Sequence, residues 1–204
     1  VKPESPSKIK LLDTAIDMIW ASSYGSVSVD DICAKAGVNK GSFYYFFKSK
    51  SDLAVAAFER HWEMKRSLMD RVFSSQVPPL DRLDQYIHVI VEDQKARFRT
   101  QGKMPGCPFC SLGSELSTQD ENVRRKVENI FARQMKYMES LVRDLAAEKL
   151  IPAANDKELA EELISYITGV LMQAKIENSV KHVERLAHGV RRMLGLKEMT
   201  ARAA

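Results

Sequence analysis

The chain has 204 residues, 45% of them apolar and 28% charged, with a formal net charge of +4. That length and apolar share allow a sizeable core, as one large domain or as a small head and a larger body. So mild a charge excludes a general nucleic-acid coat, and any DNA binding must come from a local patch.

In chain order, an apolar helix is predicted over residues 9–20. Ser28 and Asp31 then stand three apart, the spacing of a capping box that satisfies orphan amides at a helix start. Val29, Ile32, Cys33 and Ala36 recur at helical spacing behind it. Gly37 can take the positive φ that ends such a helix, Val38 can plug the corner, and Asn39 can cap the second helix of the pair. That helix, residues 40–47, begins with Gly41 and Ser42, small enough for the backbone to approach a phosphate or base edge. Phe43 with Phe46 or Phe47 would anchor it inward, leaving Lys40, Ser42, Tyr44 and Tyr45 outward. Ser49 and Asp52 repeat the capping spacing and open a longer helix carrying Leu53, Val55, Phe58 and Trp62.

Beyond Trp62 the pattern stays helical. Pro78-Pro79 breaks the chain before a helix marked by Leu80, Leu83, Ile87, Ile90, Val91, Gln94 and Phe98. A loop over 101–106 precedes a short helix over 108–116. A long helix comes next over 120–149, with Val123, Val127, Ile130, Phe131, Met138, Leu141, Val142 and Leu145 on one face. Two more are predicted over 156–177 and 180–194. No stretch alternates with period two, so the fold class is all-α, about nine helices in total.

Charge singles out the N-terminal stretch of this series. Between Ile32 and Ser51 lie four lysines (Lys35, Lys40, Lys48 and Lys50) and no acid, which suits phosphate neutralisation. Two capped helices joined by a glycine turn, the second aromatic and lysine-flanked, form a helix-turn-helix pattern. The chain resembles the tetracycline-repressor (TetR/AcrR) family in its apolar first helix, Tyr24-Gly25, the run from Val29 to Val38, and the run Lys40-Gly41-Ser42-Phe43-Tyr44-Tyr45-Phe46-Phe47 with Lys50 and Leu53. The resemblance implies a DNA-binding head at 1–50 and a helical ligand-binding and dimerisation body at 51–204. It also implies a dimeric repressor that binds double-stranded DNA at a palindromic operator. The DNA contacts would be Ser28, Lys40, Gly41, Ser42, Tyr44, Tyr45, Lys48 and Lys50.

The last two predicted helices carry apolar stripes, Leu159, Leu163, Ile164, Ile167, Val170, Leu171 and Ala174 on one and Val183, Leu186, Val190, Met193 and Leu194 on the other. With Gly169 allowing close approach, they are the expected homodimer seam, although periodicity is equally met by intramolecular core. A two-fold protein can present its recognition helices one or more DNA turns apart, about 34 Å or a multiple.

Two triggers are compatible with the body. The first is a reversible small apolar effector in a pocket drawn from Trp62, Phe98, Phe109, Met138, Tyr166 and Met172, with Tyr86, Met104 and Met135 further candidates. The second is covalent oxidation or electrophile attack at Cys107, in Gly106-Cys107-Pro108-Phe109-Cys110. Pro108 fits a first helical position, which puts both Cys107 and Cys110 at the positive end of a helix dipole, where thiolate is favoured. An inward Lys175 could approach Cys107 and favour it further. This arrangement is similar to thiol-based electrophile sensors within the same family. The competing reading makes Cys107 a small buried residue and Lys175 a snorkelling or ion-paired one. Cys33 is read as a buried small hydrophobe.

Other classes find little footing. Cys-Pro-Phe-Cys resembles a glutaredoxin-like dithiol, but the β-α-β framework for it is missing, and no catalytic triad spacing, phosphate-cradling loop or metal-ligand spacing is present; no enzyme, cofactor or metal is expected. A helical adaptor binding protein alone is the remote alternative and leaves the lysine-aromatic head unexplained. No apolar run approaches the roughly 20 residues of a membrane span. Three cysteines, an odd number, argue for a reducing cytoplasm. No signal-peptide pattern is seen, and because the chain starts at Val1 a removed leader stays open.

Overall fold

The computed structural model describes residues 4–153 and 155–197; Val1 and the other extreme residues of the two expected segments lie outside these. Among the described residues every regular element is a helix: α1 (Pro6–Ala21), α2 (Val29–Ala36), α3 (Lys40–Phe46), α4 (Lys50–Val72), α5 (Pro79–Gln101), α6 (Pro108–Leu116), α7 (Glu121–Ala147), α8 (Asp156–Glu177), α9 (Lys181–Glu184) and α10 (Leu186–Met193). The all-α reading is borne out. Ten helices stand where about nine were expected, because the last predicted one is interrupted. At Arg185 the amide turns back to the His182 carbonyl, 3.2 Å away, and α10 starts afresh.

Residue packing divides the chain into two units, one of residues 1–67 and 108–131, the other of residues 68–107 and 132–204. The first unit holds the helix-turn-helix motif. There α1 packs on α2, α3 and α6. Its core combines Leu11, Ala15 and Ile32, all fully buried, with Phe43, Leu53 and Phe58. An aromatic cluster completes it: Trp20 meets His61 at 5.3 Å between ring centres, His61 meets Phe109 at 5.9 Å, and Phe58 meets Phe109 at 5.8 Å.

In the second unit α8 packs on α9 and α10, and α5 packs on the same pair. Gly189 lets α8 and α10 approach: a Cβ there would sit 1.7 Å from the Tyr166 hydroxyl. Long-range charge pairs tie the unit together. Arg82, only 3% exposed, donates to the Val77 carbonyl at 2.6 Å and to Asp144 at 2.5 Å. Arg191 reaches Asp84 at 2.7 Å.

Candidate functional site

The two helices of the motif form where the local chemistry asks for them. The Ser28 hydroxyl accepts from the Asp31 amide at 3.1 Å, and Asp31 accepts from the Ser28 amide at 2.9 Å, a closed capping box. These Ser28 bonds, the hydroxyl first, hold the Asp31 carboxyl below its ordinary range. Gly37 ends α2 with φ of 65°, in the left-handed region that a glycine tolerates without strain. Asn39 caps α3 by accepting from the Ser42 amide at 2.8 Å. The third predicted start is also capped, with the Asp52 amide donating to the Ser49 hydroxyl at 3.0 Å.

α3 is anchored from one side. Phe43 is fully buried and Phe47 is 5% exposed, whereas Tyr44 and Tyr45 are 60% and 82% exposed. Phe46 is intermediate, so Phe47 is the second inward ring. Ser28, Lys40, Gly41 and Lys48 are exposed and Ser42 is half-buried. Lys40 pairs with Asp30 at 2.7 Å, but both side chains remain in solvent, where such a pair contributes little and a phosphate can replace the carboxylate.

Lys50 differs from the other expected contacts. Its ammonium donates to the carbonyls of Tyr24 and Val27, each at 2.7 Å, and lies 3.8 Å from the centre of the Tyr24 ring. Burial pushes its pKa down, opposed by nearby Glu115. A side chain so engaged holds the turn before α2. Nothing in the spacing of lysines separates it from Lys48, because its partners lie 23 and 26 residues upstream.

The expected sensing residues fall into separate groups. Trp62 and Phe109 belong to the aromatic cluster of the first unit, 6.5 Å apart, and Cys110 follows Phe109 in the first turn of α6. In the second unit Cys107 is 8% exposed and immediately precedes α6. Lys175 lies against its neighbour: a Cβ on Gly106 would come within 3.0 Å of the Lys175 side chain. Gln94, buried, accepts from the Gly106 amide and donates to its carbonyl, both at 3.1 Å. Asn178 accepts from the Met104 amide at 2.8 Å. Burial pushes the Tyr86 phenol up, and Cys107 adds to that. Of the other candidates, Met138 is buried, Phe98, Met172 and Tyr166 are half-buried, and Tyr166 is engaged by Gly189. Gln94 and Asn178 as clamps of the 102–106 loop were missed by sequence reasoning; a polar residue within an apolar helical stripe, as Gln94 is, was the available signal.

All three cysteines are thiols, and burial raises the pKa of Cys33, as fits a core residue. Among the described residues no group of side chains could hold a metal ion, and no helix is long and apolar enough to cross a membrane.

A capped helix-turn-helix presenting two exposed tyrosines between lysines, in an all-helical chain, defines a DNA-binding regulator of transcription. Residues 11–57 match the family described as bacterial regulatory proteins, tetR family, and residues 79–190 match the tetracyclin repressor-like C-terminal domain. The chain belongs to the TetR family. It is 29% identical to an uncharacterized HTH-type transcriptional regulator of Lactococcus lactis, covering 87% of this chain and 88% of that one. It is 26% identical to the HTH-type transcriptional repressor NemR of Escherichia coli K12, covering 91% and 92%. The crystal structure of regulatory protein TetR from Rhodobacter sphaeroides superposes with a TM-score of 0.83 at 25% identity, covering 93% of this chain and 99% of that one. Membership in this family sets aside the protein-only adaptor.

Proposed function

We propose that this regulator is a cytoplasmic homodimeric repressor that reads a palindromic operator through α3 and leaves it when a small molecule binds the body. Residues 1–50 carry the DNA contacts, and residues 51–204 carry sensing and dimerisation. The observation that carries the DNA reading is the two-sidedness of α3: Phe43 has no exposed surface, and Tyr45 on the other side is 82% exposed. So large an exposed aromatic surface between Lys40 and Lys48 suits phosphate and base-methyl contacts. Tyr44 and Tyr45 make those contacts, Lys40 and Lys48 meet phosphates, and Ser28, Gly41 and Ser42 allow close backbone approach. Lys50 supports the turn behind them. Repression follows the relative from E. coli, which is described as a repressor.

The dimer seam draws support from α8 and α10. Leu163, Ile167, Leu171 and Ala174 are buried within the chain, but Ile176 is 80% exposed and Met193 38% exposed, and Gly169 has open space around it. Apolar surface left over on two neighbouring helices suits a second copy of the same pair.

The effector is a small apolar molecule held in the body, and its binding must favour the non-binding arrangement by several kcal/mol to clear the operator. A second reading has one observation in its favour: the aliphatic stem of Lys175 lies against Gly106, the residue before Cys107, and a cation close to a thiol at a helix start would favour thiolate. In that reading, oxidation or electrophile attack at Cys107 is the trigger.

The test starts with Tyr44→Ala. Operator affinity at matched salt should fall about tenfold or more, the worth of one good base contact, while sedimentation still reports a dimer. Unchanged affinity refutes the assigned face of α3. Cys107→Ser then separates the triggers. A variant that still releases DNA on treatment with an electrophile leaves the apolar effector as the trigger.

A further inference from the structure

Glu115 is the single charged side chain of α6. Its two carboxylate oxygens accept from the amides of Tyr24 and Gly25 at 2.9 and 2.6 Å. From the other side, Lys50 donates to the carbonyls of Tyr24 and Val27. Two opposite charges therefore hold four backbone groups of one turn, residues 24–27, that no helix pairs. The turn leads directly into Ser28, the cap of α2.

Two further observations show how closely this place is built. The φ of Gly25 is not in the left-handed region, so glycine is not there for conformational freedom; a Cβ would lie 3.0 Å from the Glu115 oxygen. Five residues beyond Glu115, Asp120 accepts from the hydroxyl of Ser51, the neighbour of Lys50, and also caps α7 through the Asn122 and Val123 amides at 2.9 and 3.1 Å. The corner between α6 and α7 thus grips the motif at both of its ends, before α2 and at the start of α4.

We propose that Glu115 is a positioning residue for DNA binding: with Lys50 it fixes the turn in front of α2, so that the orientation of α2 and α3 follows α6. This rests on the DNA-binding reading above and adds its control point. Hydrogen bonds weaken steeply with distance, so a shift of α6 by about an ångström would undo both Glu115 bonds and release the turn. DNA release then needs no change in α3 itself.

Electrostatics and positioning predict opposite signs, which makes the idea testable. Removing an acid beside a polyanion site strengthens non-specific attraction. Losing the position of α3 weakens specific binding. The probes are duplexes selected by the unmodified chain from a randomised pool, with a shuffled duplex of equal length as reference. Glu115→Gln should bind the selected duplex about tenfold more weakly, the scale of charge-assisted hydrogen bonds lost. Its affinity for the shuffled duplex should be equal or higher, with thermal unfolding still cooperative. Gly25→Ala keeps every charge and pushes the carboxylate away, so it should lower the selected-duplex affinity in the same sense, and the double variant should fall short of the sum. Glu115→Gln and Gly25→Ala matching the unmodified chain on the selected duplex would overturn the positioning role alone. An unmodified chain that selects no duplex would overturn the DNA reading and this role with it.

Discussion

Side-chain hydrogen bonds that start the helices of the helix-turn-helix segment span three residues, Ser28 with Asp31, Asn39 with Ser42 and Ser49 with Asp52, and only the turn before α2 is held from further away, by Lys50 and Glu115. In the second unit they span 62 residues between Arg82 and Asp144, 74 between Met104 and Asn178, and 107 between Arg191 and Asp84. The first set can form before any tertiary structure exists and tells the chain where each helix begins. The second set forms only once α5, α7, α8 and α10 have met. The helix starts of the motif are written in neighbouring residues, and the second unit depends on distant ones finding each other.

The sharpest way to break this contrast is Phe43→Ala. If α3 owes its place to one buried ring as well as to its caps, the loss should be about 3–5 kcal/mol in urea unfolding, the usual cost of such a cavity. A loss below about 1 kcal/mol would make local capping sufficient. For the other region, Arg82→Ala removes a buried guanidinium whose partner Asp144 keeps some access to water. A cost of roughly 2–3 kcal/mol is expected, at or under the range for breaking a buried pair. A negligible effect would show that long-range charge pairs do not hold the second unit. Ser28→Ala should cost about 1 kcal/mol, the ordinary worth of an N-cap, with amide exchange speeding up in the first turn of α2. An unchanged exchange rate there would remove the local half of the contrast.

The smallest effect is one of pH. Asp31 titrates below the ordinary aspartate value when folded, so its contribution is complete above about pH 4 and is lost as pH falls through the depressed folded value. Urea midpoints of the unmodified chain should therefore drop on acidification, and Asp31→Asn should drop less steeply over the same window. Equal slopes would mean that the capping box does not contribute to acid sensitivity.

Legibility followed the same division. Every capped helix start of the motif, the glycine turn at Gly37 and the outward tyrosines could be read because each depends on residues a few positions apart. Lys50 could not be told from Lys48, since both are lysines in one basic run and only the folded chain brings the carbonyls of Tyr24 and Val27 to one of them. The break at Arg185 was hidden for a related reason: the apolar spacing runs through it unbroken, and the backbone turn shows only in three dimensions.

By itself, then, the order of residues determined where the capped helices of the motif begin, which face of α3 is apolar, and that no strand should form; periodicity and capping are short-range chemistry. Tertiary structure decided which charges are engaged, as with Glu115 and Lys50 on one turn. It also decided which glycines exist for close approach, as with Gly189 under Tyr166, and which apolar residues stay exposed, as with Ile176. Those outcomes depend on distances between residues far apart in the chain, which spacing along it does not encode.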